Sequence, residues 1–299
     1  MAKTSKRIHQ MTIPQWEKAF PDEEACQAYL QAHRWPLGVK CPRCGADVTF
    51  EVGTMAFKWQ CYSCAPDSGY RFSVLVGTIF ENTNKPLRQW FRVIHLMLTS
   101  KKGISALQIH RMMGFGSYQT AWSMCHKVRA GLAKEDFRKL MGIVEVDETY
   151  IGGKGKNMHG GHKNKRGVVN KVGVIGAVQR KGNVVARVLD RVTKDAMQAF
   201  VRETVSTDVS LLATDEHRGY VGLGDTYYHD TVMHSSHKYV IGAIHTNTIE
   251  GFWSLVKRSI VGSYHKVSRK YLPLYIAEAQ FKYNNRLNAD IFGEAIRGV

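Results

Sequence analysis

The chain has 299 residues, of which 44% are hydrophobic and 10% are aromatic. This apolar share excludes an intrinsically disordered chain, and the length predicts two or three domains. Lysine and arginine number 42 against 25 acidic residues, which gives a formal net charge of +17 and a pI of about 9.6. A positive surplus of this size predicts a polyanionic partner, most often nucleic acid.

The sequence shows neither a membrane span nor a secretory signal. Its longest apolar run, residues 172–178, is far shorter than the ~20 residues that a spanning helix needs. The basic N-terminus lacks the apolar core of a signal peptide. Four of the six cysteines have metal-ligand spacing, a usage typical of a reducing cytosol. We therefore expect a cytoplasmic protein with no membrane partner.

Residues 1–35 predict an N-terminal helical segment. Pro21 precedes three acidic residues, which is a typical helix start, and apolar residues then recur at helical spacing. Cys26 lies in this helix and is interpreted as a small buried hydrophobic residue, because no cysteine near it in sequence offers a partner.

Residues 36–82 contain two CxxC pairs that predict a zinc ribbon. Sixteen residues separate the pairs, and short alternating segments between and after them predict strands. Each pair turns two sulfurs toward one point, so that two pairs make the closed site of one structural Zn²⁺, which leaves no open position for chemistry. A redox role is disfavoured because no βαβ pattern surrounds the pairs. The predicted ligands are Cys41, Cys44, Cys61 and Cys64.

Residues 83–140 predict a helix-turn-helix. After a strongly periodic helix come two short helices, with Ser105 as the predicted cap of the first and Ser117 as the predicted cap of the second. A glycine-containing turn joins them, as in DNA-binding helix-turn-helix motifs. The second helix would present Lys127 and Arg129 to DNA. The alternative is an ordinary helical hairpin that packs on a neighbouring element.

Residues 141–299 predict a strand-rich domain that ends in helices. The first strand alternates, so that Glu145, Asp147 and Thr149 share one face. The predicted elements are strands at 143–151, 171–178 and 184–189, a helix at 194–205, a strand at 211–213 and a helix at 246–260.

Three acidic residues of this domain can converge although they are far apart in sequence. Asp147 lies in the first strand, Asp215 follows the fourth, and Glu250 lies in the late helix. Carboxylates crowded together repel one another without cations, and hard oxygen ligands suit Mg²⁺ or Mn²⁺. Two such ions can clamp the attacking and leaving oxygens of a phosphodiester. Lys257, on the same helix face as Glu250, suits a phosphate contact. The alternative is a solvated Glu and Lys on an amphipathic helix.

The most basic loop of the chain spans residues 154–171. We interpret it as a hairpin tip that grips DNA through its phosphates and positions the duplex without reading its sequence. The alternative is a solvated flexible loop. Its basic side chains are Lys154, Lys156, Lys163, Lys165, Arg166 and Lys171.

These residues together resemble the DDE-type insertion-sequence transposases of bacteria and archaea, in the ISXO-type subgroup that has an N-terminal zinc ribbon. The resemblance covers most of the chain beyond about residue 35. It implies a ribonuclease H-like catalytic fold with Asp147, Asp215 and Glu250 as ligands of two Mg²⁺ or Mn²⁺ ions. Lys257 matches the family's basic residue seven positions after the glutamate. The matching stretches are CPRCG with CYSC, FSVLVGTIFENTNKPLRQWF, VEVDETYIGGKGKN, ATDEHRGY, and HTNTIEGFWSLVKRSIVGSYHKVSRKYL with FKYNNR.

The resemblance implies a multidomain α+β protein with a zinc ribbon, a helix-turn-helix and an α/β ribonuclease H-like domain on a mixed sheet. Such a transposase binds the terminal inverted repeats, cleaves the 3′ ends by metal-assisted hydrolysis and joins them to target DNA by transesterification. A dimer or larger oligomer on DNA and a prokaryotic, nucleoid-associated location are expected. The alternatives are a catalytically silent DNA-binding regulator derived from a transposase and a ribonuclease H-like nuclease without strand transfer.

Several neighbouring residues compete for roles at this site. Asp190 ends the third strand, but its context fits the family pattern less well than that of Asp215. Glu148 and Glu216 are expected to point away because neighbours in an extended strand alternate. Glu145 is a candidate for supporting the metal ligands, and Asn247 is a lesser candidate for the third ligand. One histidine is a candidate for a supporting role, from the set His217, His229, His234 and His237.

Overall fold

The structure is a computed structural model that describes residues 11–133, 138–153, 171–231 and 245–298. The chain divides into two compact units, one of residues up to 133 together with 287–299, and one of residues 134–286. The predicted boundaries instead place 287–299 in the last domain. The structure differs because the buried ring of Phe292 packs against Phe20 and Phe91, at centroid distances of 5.5 and 5.4 Å.

The first unit combines a helical cluster with a small three-stranded sheet. Glu23 accepts hydrogen bonds from the backbone N–H groups of Leu87 and Arg88, at 2.6 and 3.0 Å, and so caps a helix that has no side-chain cap of its own. The elements are α1 (Ile13–Ala19), α2 (Glu23–Arg34), β1 (Phe50–Glu51), β2 (Lys58–Cys61), β3 (Tyr70–Ser73), α3 (Leu87–Thr99), α4 (Ala106–Met113), α5 (Tyr118–Gly131) and α9 (Ile291–Gly298).

Helices α4 and α5 are the two short helices that the sequence predicts on either side of a glycine-containing turn. Ser105 accepts the N–H of Gln108 at 3.1 Å, and Ser117 accepts the N–H of Gln119 at 3.1 Å. Gly114 ends α4 with φ of 63°, the left-handed conformation that glycine adopts without strain. The predicted caps and turn are therefore confirmed.

The second unit is a mixed five-stranded sheet in the order β6-β5-β4-β7-β8. Strands β4, β5 and β6 are antiparallel, whereas β7 runs parallel to β4 and β8 parallel to β7. This mixed α/β sheet confirms the predicted fold class. The elements are β4 (Ile143–Ile151), β5 (Val172–Gln179), β6 (Val184–Val188), α6 (Lys194–Thr204), β7 (Leu211–Thr214), β8 (His229–Thr231), α7 (Asn247–Ser259) and α8 (Leu272–Asn284).

The two faces of this sheet carry separate cores. Val144 and Val146 of β4 pack in one core with Phe200 of α6. On the other face Ile249 and Trp253 of α7 pack with residues of β5, β6 and α8. Because side chains alternate along β4, Glu145, between these valines, and Asp147, after them, face α7.

A glycine brings α7 close to the sheet at the level of Asp147. Gly176 of β5 pairs in register with Asp147 of β4. A Cβ atom added at Gly176 would lie only 2.7 Å from Cζ2 of Trp253, so this close approach of α7 needs a residue without a side chain. No helix in the described part of the chain is long and apolar enough to cross a membrane.

Candidate functional site

The four predicted zinc ligands lie together in the ribbon. The Sγ atoms of Cys41 and Cys64 are 3.9 Å apart, and those of Cys44 and Cys61 are 3.7 Å apart. A tetrahedral site with Zn–S bonds of about 2.3 Å requires sulfurs about 3.8 Å apart, and a disulfide requires about 2.05 Å. Gly45, with φ of 75°, lets the first knuckle turn. The cluster therefore fits one closed Zn²⁺ site.

Three carboxylates form a second cluster in the other unit. Asp147, Glu148 and Asp215 each place one oxygen within 4.8 Å of the others. Strands β4 and β7 are parallel and pair Glu145 with Ala213, so the same register two residues further on brings Asp147 beside Asp215. The structure thus brings these two predicted ligands together from positions far apart in sequence, while their role as ligands stays a prediction.

Glu148 belongs to this cluster, and the prediction that it points away from the site is wrong. Its side chain is buried, and one oxygen accepts a hydrogen bond from the hydroxyl of Tyr220 at 2.9 Å. The side chain of Glu148 leaves β4 on the α6 face, as alternation requires. Asp215 lies directly after the last residue of β7. At this strand end, Asp147 from one face of the sheet and Glu148 from the other both come close to the Asp215 carboxylate. Only the tertiary structure reveals this contact.

The negative charges of the cluster act on one another. Burial, together with the negative charges of Glu148, Asp215 and Glu250, raises the pKa of Asp147 to about 7. Burial and the charge of Asp215 also raise the pKa of Glu148. Desolvation and like charges both disfavour the ionised form. A bound cation would relieve both costs, so the site has the electrostatics of a cation site.

Glu250 approaches the cluster from α7 without joining the group of three. It lies in the first turn of α7, and its Oε1 accepts a hydrogen bond from the Thr246 hydroxyl at 2.8 Å. Its charge contributes to the raised pKa of Asp147. Lys257 lies in the last turn of the same helix, and both Glu250 and Lys257 are exposed. The exposed side of α7 therefore carries both predicted residues.

Comparison with known proteins places these two clusters in two domains of one family. Residues 139–284 match the model of the ISXO2-like transposase domain, and residues 21–66 match the transposase zinc-ribbon domain. The chain belongs to the ISXO2-like transposases. The three clustered carboxylates and Glu250 lie inside the first matched range, and the four cysteines lie inside the second.

Two further similarities accompany these matches. The chain is 27% identical over 282 residues to an uncharacterized protein in transposable element ISH50 of Halobacterium salinarum, over 89% of this chain and 92% of that protein. A chain of the simian T-cell lymphotropic virus intasome, solved in complex with PP2A regulatory subunit B56 gamma, is 15% identical. The aligned region covers 58% of this chain and 67% of that chain, with a TM-score of 0.30. That score does not establish a shared fold.

Three other competing residues, Asp190, Asn247 and Glu145, lie outside the cluster. Asp190 is fully exposed just beyond β6, the edge strand two strands away from β4, and pairs with Arg269 at 2.9 Å. Asn247 is the first residue of α7 and is exposed. Glu145 shares the face of Asp147 but is completely buried against the start of α7.

Among the described histidines, His217 lies beside the carboxylates. Its Nε2 is 3.9 Å from Oε1 of Glu148, and its backbone N–H donates to Oδ1 of Asp215 at 3.1 Å. His229 contacts Thr214, the residue before Asp215, with its Nε2 2.9 Å from the Thr214 hydroxyl. His234 and His237 lie outside the described residues.

The predicted DNA contacts divide into three groups. Lys127 of α5 and Lys171, just before β5, are exposed. Arg129 is only 1% exposed, which contradicts the prediction that it faces DNA. It lies four residues after the buried Cys125 and therefore on the packed side of α5. The other basic loop residues, Lys154, Lys156, Lys163, Lys165 and Arg166, lie outside the described residues.

Proposed function

We propose that this protein is a metal-dependent DNA transposase that cleaves the 3′ ends of an insertion sequence and joins them to target DNA. The observation that carries the proposal is the cluster of Asp147, Glu148 and Asp215 within 4.8 Å, inside an ISXO2-like transposase domain. A DNA-binding protein without chemistry has no need for three crowded carboxylates, which destabilise one another.

The carboxylates of Asp147 and Asp215, with Glu250 from α7 and Glu148 beside them, would hold Mg²⁺ or Mn²⁺. Their oxygens are the hard donors that these ions prefer, and the raised pKa of Asp147 supports the fit because a cation would favour its ionised form. When bound, two such ions lower the pKa of an attacking water and neutralise charge on the phosphodiester.

The chain's own residues then have distinct tasks. Asp147 has a pKa near neutrality and releases its proton when it becomes a ligand. The Tyr220 hydroxyl holds one oxygen of Glu148 and leaves the other oxygen for the cluster. Lys257 presents a positive charge to a DNA phosphate.

The reaction needs no covalent intermediate with the protein. Water attacks phosphorus at the element boundary, the bond to the 3′ oxygen of the element breaks, and that oxygen leaves as a 3′ hydroxyl. The same hydroxyl then attacks a target phosphodiester, and the target strand gives up its own 3′ hydroxyl. The numbers of bonds formed and broken balance in both steps.

DNA recognition would fall to the basic surfaces of both units. The zinc ribbon and helix-turn-helix would bind the terminal inverted repeats, with Lys127 on α5. The loop of residues 154–171 would grip phosphates next to the catalytic strands. Since two ends must be joined in one event, we propose a dimer or larger oligomer on DNA.

The proposal is tested with DNA that carries the element's own ends, Mg²⁺, and the Asp147→Asn and Glu250→Gln variants. Both variants should bind the ends like wild type but nick them more than about 100-fold more slowly, a larger loss than residues behind the ligands produce. Nicking at the wild-type rate by Asp147→Asn would refute the assignment. Pre-cut ends separate the alternatives, because a nuclease yields no joined products and a silent regulator neither cuts nor joins.

A further inference from the structure

A buried carboxylate outside the cluster points to a device that positions Glu250. The side chain of Glu145 has no exposed surface. Burying a carboxylate costs several kcal/mol unless it is paired and hydrogen-bonded. The partners that offset this cost therefore indicate its role.

Most of these partners belong to the start of α7. Oε2 of Glu145 accepts the backbone N–H groups of Thr248 and Ile249 at 2.7 and 3.0 Å, and Oε1 accepts the Thr248 hydroxyl at 2.8 Å. The first N–H groups of a helix lack partners within it and carry partial positive charge. The N-cap residue Thr246 makes no side-chain hydrogen bond to them. Glu145 therefore caps α7 from a neighbouring strand.

Arg180 ties this carboxylate to the segment before α7. Its Nε donates to Oε1 of Glu145 at 2.6 Å, and its Nη2 donates to the carbonyl of His245 at 2.9 Å. Its backbone N–H donates to the carbonyl of Ile143, at the start of β4, at 3.0 Å. Nδ1 of His245 lies 3.2 Å from Oε1 of Glu145. The approach to α7 and its first turn are thus fastened to one carboxylate.

The same strand also carries a predicted metal ligand. Glu145 and Asp147 are two residues apart on one face of β4, and Glu250 directly follows Ile249, whose N–H Glu145 holds. We infer that Glu145 is a positioning residue, which sets the place of Glu250 relative to Asp147 by anchoring the first turn of α7 to β4. The inference rests on the proposed function, because it treats Glu250 as a ligand.

The test is Mn²⁺ binding to the full-length, zinc-loaded protein, measured by electron paramagnetic resonance of free Mn²⁺. Glu145→Asp keeps the charge but withdraws the oxygens from α7. We expect it to weaken Mn²⁺ binding about 10-fold, the lower end of the range for residues behind ligands. The Mg²⁺ concentration for half-maximal nicking should rise by a similar factor, and excess Mg²⁺ should restore the rate.

Glu278→Gln is the matched control. Glu278 is another buried carboxylate of the same unit, paired with Lys282 of α8 at 2.6 Å. Its substitution should lower the melting temperature but leave Mn²⁺ affinity within about twofold, because it supports no ligand. A second control is the Glu250→Gln background, in which Glu145→Asp should cause no further loss if it acts through Glu250.

Two results would overturn the inference. One is a folded Glu145→Asp protein with wild-type Mn²⁺ affinity, and the other is a loss that adds fully to that of Glu250→Gln. If Glu145→Asp does not fold, Glu145→Gln is judged by the same two measurements. Asp147→Asn separates this failure from failure of the proposed function, since wild-type Mn²⁺ affinity in that variant would refute the metal site itself.

Discussion

The two ligand clusters of this chain are built in opposite ways. The four cysteines come from two short turns within residues 41–64 and form a closed, compact set of sulfurs. The carboxylates of Asp147 and Asp215 come from two strands joined by a crossover, with Glu250 on a later helix. The cysteine cluster suits a metal that stabilises the fold. In the carboxylate cluster, burial and like charges raise the pKa values of Asp147 and Glu148. A bound cation would relieve this unfavourable electrostatic energy.

The largest expected effect is on the cysteine cluster. Structural zinc contributes about 10 kcal/mol or more to the folding of small zinc domains. Cys44→Ser should therefore lose its zinc, unfold the ribbon and abolish binding to the element's ends, while Mn²⁺ binding by the second unit persists. Zinc content, gel shifts and Mn²⁺ titration check this. Retention of one tightly bound zinc in Cys44→Ser would show that the four thiolates do not form one site.

The carboxylate cluster should instead respond to pH. Asp147 has a pKa of about 7 in the folded protein, against about 3.9 in an unfolded chain. Its protonated form is favoured by folding, so its contribution to stability is complete below pH ~4 and is lost as the pH rises to about 7. Between about pH 5 and pH 8 the cation-free protein should lose on the order of 2 kcal/mol of unfolding free energy. Denaturant titrations give this slope.

Asp147→Asn is the matched variant for that measurement. It should flatten the pH dependence and be more stable than wild type above pH ~7 without cations. Mg²⁺ should stabilise wild type under the same conditions and leave the variant unchanged. If the unfolding free energy changed equally with pH in both proteins, Asp147 would not be the carboxylate whose pKa is raised.

A smaller effect is expected from the hydrogen bond that supports Glu148. The Tyr220 hydroxyl donates to this carboxylate at 2.9 Å and is almost fully buried. Tyr220→Phe should lower the unfolding free energy by about 1.5 kcal/mol, because hydrogen bonds to charged groups exceed neutral ones. Mn²⁺ affinity should fall severalfold if Glu148 takes part in the site. Unchanged affinity would restrict the site to the other carboxylates.

The smallest expected effect separates two neighbouring basic residues of α5. Lys127 is exposed, and Lys127→Ala should weaken DNA binding a few-fold and reduce the salt slope of the affinity by about 1. Arg129 is buried, so Arg129→Met should change the melting temperature and leave the salt slope unaltered. Fluorescence anisotropy at several salt concentrations checks both. An equal drop in slope would place both side chains on the DNA.

Local patterns in the sequence predicted those features that depend on near neighbours. The CxxC spacing predicted the cysteine cluster, and Ser105 and Ser117 predicted the starts of α4 and α5, because a capping side chain acts on backbone two or three residues away. The alternation in β4 likewise predicted that Glu145 and Asp147 share a face. These features need no knowledge of what packs against the element.

Where the structure differs from these predictions, contacts with distant parts of the chain are the cause. Alternation predicts that Glu148 points away from the site, because it carries no information on where a neighbouring strand ends. The charge of Arg129 predicts a DNA contact, because charge alone carries no information on which side of α5 packs. Phe292 joins the first unit through rings that lie far away in sequence.

The sequence by itself predicted the family, the clustering of the four cysteines, the meeting of Asp147 with Asp215 and the order of the elements. Each of these depends on residue identity, on spacing or on the pattern of the elements. Only the tertiary structure decided that Glu148 enters the cluster and that Glu145 fastens α7 to β4. Those contacts join residues about 70 to 100 positions apart. Their geometry is set by strand register and helix packing, which no local pattern encodes.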